Sequence, residues 1–133
     1  MHGKALVWLL RISGVILLTA LVPVVMPFSW MQMIHRQIGM GELPTGPIMG
    51  YLTRSLSLFY AVHGALLLFV SFDIRRYLPF VKFLAFISIL FGVCMIILDY
   101  AVDMPLRWVL CEGPMVILLG IVILWLAGRI QEQ

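Results

Sequence analysis

Charged residues are scarce in this sequence. They make up 11% of its 133 residues, whereas hydrophobic residues make up 63%, and the mean hydropathy is +1.10. A chain with so little charge cannot enclose all its apolar side chains in one soluble core, so its composition excludes an ordinary soluble domain. We therefore predict an integral membrane protein.

The sequence also lacks the motifs that carry most enzyme and metal chemistry. It has no H-E-x-x-H, no C-x-x-C pair and no glycine-rich phosphate loop, and it contains no asparagine for glycosylation. His63 is the only histidine deep in an apolar run, so haem has no second ligand. We predict no metal, no cofactor and no catalytic residue, which argues against an enzyme without excluding one.

Four apolar runs reach the length of roughly 20 residues that a spanning helix needs. They cover residues 5–26, 50–72, 78–100 and 105–128, and short connections separate most of them. The predicted fold class is therefore all-α: an integral membrane antiparallel four-helix bundle that forms a single domain over residues 1–133. Pro114 lies inside the fourth run and lacks the N–H that would bind the carbonyl of Leu110, so we expect a kink there.

The connection between the first two spans predicts a short interfacial helix over residues 29–39. Ser29 and Gln32 have the spacing of a capping box, and apolar residues then recur at helical spacing until Gly39. Such a helix would lie on the outer membrane surface. An ordinary connecting loop is the alternative.

The nine basic residues form no patch, which argues against a nucleic-acid surface, and their distribution instead indicates topology. With the amino terminus in the cytoplasm, the basic residues on that side outnumber those on the other: Lys4, Arg11, Arg75, Arg76, Lys82 and Arg129 against Arg36, Arg54 and Arg107. The positive-inside rule then predicts that both termini are cytoplasmic. Arg11 also interrupts the first run and argues against a cleaved signal peptide. We expect a bacterial inner membrane.

A polar cluster is the main candidate for a ligand or ion site. Its members fall in the outer third of three spans or at their ends: Arg54, Asp99, Asp103, Arg107 and Glu112. Charges at membrane depth are costly and are often functional. The cluster predicts either a structural ion-pair network or a site for a proton, an ion or a lipid headgroup. We predict that Arg54 pairs with Glu112, with Asp99 as a second partner.

The third span places small residues on the side that carries the acids. Ala85, Ser88 and Gly92 lead towards Asp99 and Asp103, and small residues allow helices to approach closely. We expect a close-packed seam there that opens at the outer surface. Together with the kink near Pro114, this seam predicts a small polar cavity beside Glu112.

Three further residues are weaker candidates. His63 is either a neutral histidine bonded to a neighbouring backbone or hydroxyl group or part of a site. Cys94 and Cys111 lie at similar depths in the third and fourth spans, where they are either two free thiols or a disulfide or redox pair.

One short pattern occurs twice. Residues 24–30 and 102–108 share V-x-M-P-x-x-W, and the same offset pairs Gly14 and Val15 with Gly92 and Val93. Duplication of a helical hairpin in a parallel orientation would produce this similarity, as in some transporters. Chance in a biased composition is the alternative.

In its length, helix count and short loops, the chain resembles the small four-helix bacterial membrane proteins of the DoxX-like families. The segments Tyr51-Leu52-Thr53-Arg54-Ser55 and Cys111-Glu112-Gly113-Pro114 are the most distinctive parts of the resemblance. It implies an inner-membrane four-helix bundle and identifies no functional residue. We expect a binding or accessory protein with a polar cavity near the outer face, or else a proton- or ion-linked transporter or channel subunit. The bilayer is its expected partner, with a membrane-protein partner or a second copy of the chain as candidates.

Overall fold

A computed structural model describes residues 2–131, which contain seven helices and no strand. The helices are α1 (His2–Leu18), α2 (Leu21–Val25), α3 (Phe28–Gln37), α4 (Pro47–Ser71), α5 (Leu78–Ala101), α6 (Leu106–Cys111) and α7 (Gly113–Gln131). Four stretches are long and apolar enough to cross a membrane: His2–Val25, Pro47–Ser71, Leu78–Ala101 and Leu106–Ile130. The predicted all-helical class with four candidate spans is confirmed.

The first stretch is interrupted between α1 and α2, where Pro23 causes the break. Proline has no N–H, so the carbonyl of Thr19 lacks the donor four residues ahead and accepts instead from the N–H of Val22 at 3.0 Å. The Thr19 hydroxyl donates to the carbonyl of Ile16, and α2 then continues the stretch to Val25. The fourth stretch is interrupted at Glu112, between α6 and α7, as Pro114 predicts.

The short helix between the first two spans exists, but its predicted N-terminal cap is wrong. Helix α3 begins at Phe28, with Pro27 as its N-cap and no side-chain capping bond, so Ser29 lies inside the helix. The C-terminal prediction is confirmed. Gly39 has φ 75°, and the N–H of Met40 donates to the carbonyl of His35, which is the Schellman arrangement that glycine permits.

The chain divides into two compact units. One unit consists of residues 10–69, and the other consists of residues 2–9 and 70–131. We call them the Arg54 unit and the Asp99 unit after the polar residues that they contain. The single four-helix domain over residues 1–133 stays a prediction.

In the Arg54 unit, α1 and α4 touch through two glycines. A Cβ atom added to Gly14 would lie 2.8 Å from the carbonyl oxygen of Gly64, and one added to Gly64 would lie 2.6 Å from that of Gly14. No side chain larger than hydrogen fits this contact without movement of the backbone. Helix α3 packs through Met31, whose sulfur lies 3.8 Å from the Thr53 hydroxyl of α4.

In the Asp99 unit, α5 packs along α7 through a row of small residues. Ala85, Gly92 and Asp99 are all buried on one face of α5, as the predicted seam requires. Gly92 meets Gly113 as Gly14 meets Gly64, with each Cβ position 2.8 Å from the other glycine's carbonyl oxygen. The seam therefore brings the backbones of α5 and α7 into contact and ends at an acidic side chain.

Candidate ligand site

Asp99 is the buried acid of the Asp99 unit. It lies two residues before the end of α5 with only 3% of its surface exposed. Its Oδ2 atom is buried and has no hydrogen-bond partner among residues 2–131. Buried polar atoms are nearly always hydrogen-bonded, so this atom requires an explanation.

Glu112 lies at the junction of α6 and α7, next to Gly113, whose backbone meets Gly92 on the face of α5 that carries Asp99. Glu112 is half-buried. The indole Nε1 of Trp108 donates to Glu112 Oε2 at 2.5 Å. Because α6 stops at Cys111 and α7 starts at Gly113, the helix break holds this carboxyl at the end of the seam. Two of the predicted site residues, Asp99 and Glu112, thus lie on the packed α5–α7 side of the same unit.

Two other members of the predicted cluster are exposed at the connection between α5 and α6. Asp103 lies past the end of α5 with φ 55°, a left-handed backbone conformation that aspartate tolerates better than most residues. Arg107 lies in the first turn of α6 and is also exposed. Asp103 therefore does not continue the buried seam as its spacing predicts, because the helix ends before reaching it.

Arg54 binds backbone oxygens within its own unit. Its Nε donates to the carbonyl of Val24, its Nη2 to that of Met26 and its Nη1 to that of Gly50, each at 3.1 Å. The break at Met26-Pro27 leaves carbonyls at the end of α2 without helical donors. The Arg54 guanidinium donates hydrogen bonds to these carbonyls instead. The predicted Arg54–Glu112 pair would join the two units and stays a prediction.

The three weaker candidates are His63, Cys94 and Cys111. His63 is half-buried near the middle of α4. Cys94 and Cys111 are exposed free thiols. Among residues 2–131, no three histidine, cysteine or acidic side chains come together in a way that could hold a metal ion.

The sequence analysis missed three hydrogen-bond partners: Trp108 and the carbonyls of Val24 and Met26. Trp108 is one turn before Glu112, and this four-residue spacing places two side chains on the same face of a helix, so it was the available signal. No sequence signal identifies the carbonyls of Val24 and Met26, because their contact with Arg54 depends on where α2 stops.

Comparisons with protein-family models, curated proteins and solved structures found no match to this chain. The class of protein is therefore indicated by the helices alone. Four candidate membrane-spanning helices in an all-helical chain suggest a multi-pass membrane protein.

Proposed function

We propose that this chain is a multi-pass protein of the inner, or plasma, membrane that acts as a binding or accessory protein through Asp99 and Glu112. The proposal includes an antiparallel bundle of the four spans, both termini in the cytoplasm and a relationship to the DoxX-like families. The short connections and the distribution of basic residues support this arrangement.

The observation that carries the binding role is the buried Asp99 Oδ2 atom without a hydrogen-bond partner. Burial of a carboxyl oxygen without a donor is unfavourable. A purely structural acid would be expected to have a donor, as Glu112 has in Trp108. A site that receives a positively charged or hydrogen-bond-donating group explains why Asp99 is buried without a donor of its own.

Native mass spectrometry of the protein purified in mild detergent tests this role. We expect wild type to retain a bound lipid or small molecule, and Asp99→Asn to lose it. Asp103→Asn is the matched control, because it removes the same charge at an exposed position nearby and asparagine also tolerates the left-handed backbone. Equal occupancy in Asp99→Asn and wild type, or an absence of any bound species in all three proteins, would contradict the proposal.

The second candidate function is proton- or ion-linked transport, as a transporter or channel subunit. It is favoured by the position of two carboxyl groups within candidate spans, since intramembrane acids mark many proton and ion pathways. Proteoliposomes carrying a pH gradient or a sodium gradient test it. Flux that Asp99→Asn abolishes and Asp103→Asn preserves would support transport, and no flux above empty liposomes would contradict it.

A further inference from the structure

A groove opens near the carboxyl-terminal end of α7, within the Asp99 unit. It has a volume of about 360 Å³ and is lined by Leu124, Trp125, Gly128 and Arg129. Gly128 contributes space to it, because among the described residues a Cβ atom at this position would meet nothing within 4 Å. The lining combines an apolar side chain, an aromatic ring and a cation, which is the composition of a membrane–water interface.

Two ring contacts hold the aromatic wall of the groove. The guanidinium carbon of Arg129 lies 5.7 Å from the centre of the Trp125 ring. The His2 ring meets the same indole edge-on, with ring centroids 5.8 Å apart. The cation–π contact orients Arg129 electrostatically, and a guanidinium binds phosphate oxygens through paired N–H donors. The groove therefore has a cation of the kind that recognises phosphate.

The end of the unit that contains the groove is rich in basic residues. Helices α5 and α7 run in opposite directions, because Gly92 lies against Ile117 and Gly120 against Ala85, so the end of α7 lies beside the start of α5. The start of α1 joins them, since a Cβ atom on Gly3 would lie 3.9 Å from Ile130 Cδ1.

In sequence, the three segments at this end carry five basic and two acidic residues: Lys4, Arg75, Arg76, Lys82 and Arg129 against Asp73 and Glu132, of which Glu132 lies outside the described residues. Clustered basic residues at a membrane surface attract anionic lipid headgroups. The charge at this end is therefore complementary to an anion.

An apolar row leads along α7 to the groove. Met115, Leu118, Ile121 and Trp125 recur at three- and four-residue spacing, and each is more than half exposed. Arg129 follows Trp125 by four residues, so the row ends in a cation. Leu118 and Arg129 are separated by about 16 Å along the helix, at 1.5 Å of rise per residue. An apolar row that ends in a cation matches an acyl chain joined to an anionic headgroup.

We propose that this groove binds the headgroup of an anionic phospholipid, with the phosphate on Arg129 and an acyl chain along the apolar row of α7. Trp125 lies between the two parts of the lipid, as tryptophan does at the headgroup level of membranes. The site is separate from Asp99, which lies near the end of α5, whereas the groove lies level with its start. The inference needs the chain to lie in a membrane and does not require a ligand at Asp99.

Native mass spectrometry of delipidated protein in mild detergent tests this site by titration with phosphatidylglycerol and phosphatidylcholine of the same acyl chains. Wild type should bind the anionic phosphatidylglycerol more tightly. Arg129→Gln should weaken that binding at least about fivefold, which corresponds to the roughly 1 kcal/mol that one basic residue contributes at an anionic lipid surface. Equal affinity of wild type for the two lipids would overturn the inference.

Gly128→Leu tests the groove without changing a charge, because the new side chain fills its space. It should also weaken phosphatidylglycerol binding. Arg36→Gln is the control, since Arg36 is an exposed arginine of the other unit, and it should bind as wild type does. Wild-type affinity in either Arg129→Gln or Gly128→Leu, or an equal loss in Arg36→Gln, would overturn the inference. Circular dichroism checks that each variant keeps its helices.

Competition distinguishes a lipid from a soluble phosphate compound. Glycerol phosphate has the phosphate group but no acyl chain, so at the concentration of the lipid it should leave phosphatidylglycerol bound. Displacement would show that the headgroup alone provides the affinity and would contradict a lipid occupant. A phosphatidylglycerol site at Arg129, without any species that Asp99→Asn loses, would support this inference and contradict only the proposed function.

Discussion

At the scale of single residues, Arg54 shows how main-chain carbonyls can hold a charge in an apolar helix. Its three hydrogen bonds all go to main-chain carbonyls, two of them at the end of α2. A guanidinium is suited to this because it offers five donors in a rigid plane, whereas an ammonium is a compact charge on a flexible chain. Arg54 therefore acts as a side-chain cap for a broken helix.

We predict that Arg54→Met lowers the free energy of unfolding in detergent by about 1–3 kcal/mol, because the carbonyls of Val24 and Met26 lose their donors. Arg54→Lys should lose part of that amount, since lysine cannot reproduce the planar set of bonds. Denaturant titration followed by circular dichroism measures both changes.

Arg36→Lys is the control for the arginine variants. Arg36 pairs with Glu42 at 2.6 Å, but the two side chains are 60% and 70% exposed. Exposed pairs contribute about 0–1 kcal/mol, so this change should have little effect. If Arg54→Lys lowers the free energy of unfolding by no more than Arg36→Lys does, the capping role is disproved.

At the scale of helices, glycine contacts determine how closely the spans approach in each unit. Gly14 meets Gly64 in one unit and Gly92 meets Gly113 in the other, in both cases with carbonyl oxygens at the Cβ positions. Helix association in membranes depends on such close packing, because lipid already solvates apolar side chains.

The same glycines bear on the duplicated pattern. Gly14 and Gly92 are related by the offset that also relates Pro27 to Pro105. Pro27 is an N-cap with φ −58° and ψ 140°, and Pro105 is an N-cap with φ −55° and ψ 132°. Any proline at an N-cap has this geometry, because the ring fixes φ and N-cap residues have an extended backbone. Duplication of a helical hairpin therefore stays a hypothesis.

We predict that Gly92→Ala destabilises the protein by about 1–3 kcal/mol, the usual cost of overpacking. The new methyl group would lie 2.6 Å from Ile117 Cγ1 and 2.8 Å from the Gly113 carbonyl oxygen, so the backbones of α5 and α7 must separate. Unfolding by sodium dodecyl sulfate, monitored by circular dichroism, measures the change.

Gly128→Ala is the matched control in α7. Among the described residues, a Cβ atom there meets nothing within 4 Å. Only helix propensity should therefore act, and alanine is the better helix former by about 1 kcal/mol. We expect unchanged or slightly higher stability. Similar behaviour of Gly92→Ala and Gly128→Ala would show that the seam is not tightly packed.

At the scale of the whole molecule, the outer surfaces of the helices are apolar. Val25, Ile48, Phe59 and Phe72 are each more than 70% exposed. Soluble monomers rarely expose contiguous apolar patches of large area, whereas lipid solvates such side chains without cost. Near the end of α7, Trp125 lies edge-on to His2 and beneath Arg129, which is the aromatic and basic composition of a membrane interface.

We predict that reporters fused to either terminus are active on the cytoplasmic side, and that a reporter inserted in residues 42–46 is active on the opposite side. The basic residues near the ends of the spans are the physical reason. Paired reporters that are each active in only one compartment measure the orientation. An external amino terminus would place Asp99 and Glu112 near the cytoplasmic face and contradict the predicted orientation.

The sequence by itself determined the helical class, the four candidate spans and the break at Glu112, because these depend on local properties: the length of apolar runs and the missing N–H of proline. The polar partners were decided only by the tertiary structure. Arg54 can reach carboxylates or carbonyls alike, and the choice depends on where α2 ends. Asp99 shares a seam with Asp103 in sequence, yet only Asp99 is buried, because α5 ends between the two. Such outcomes depend on where helices end and where their backbones touch. The spacing of residues along one helix carries no information about either.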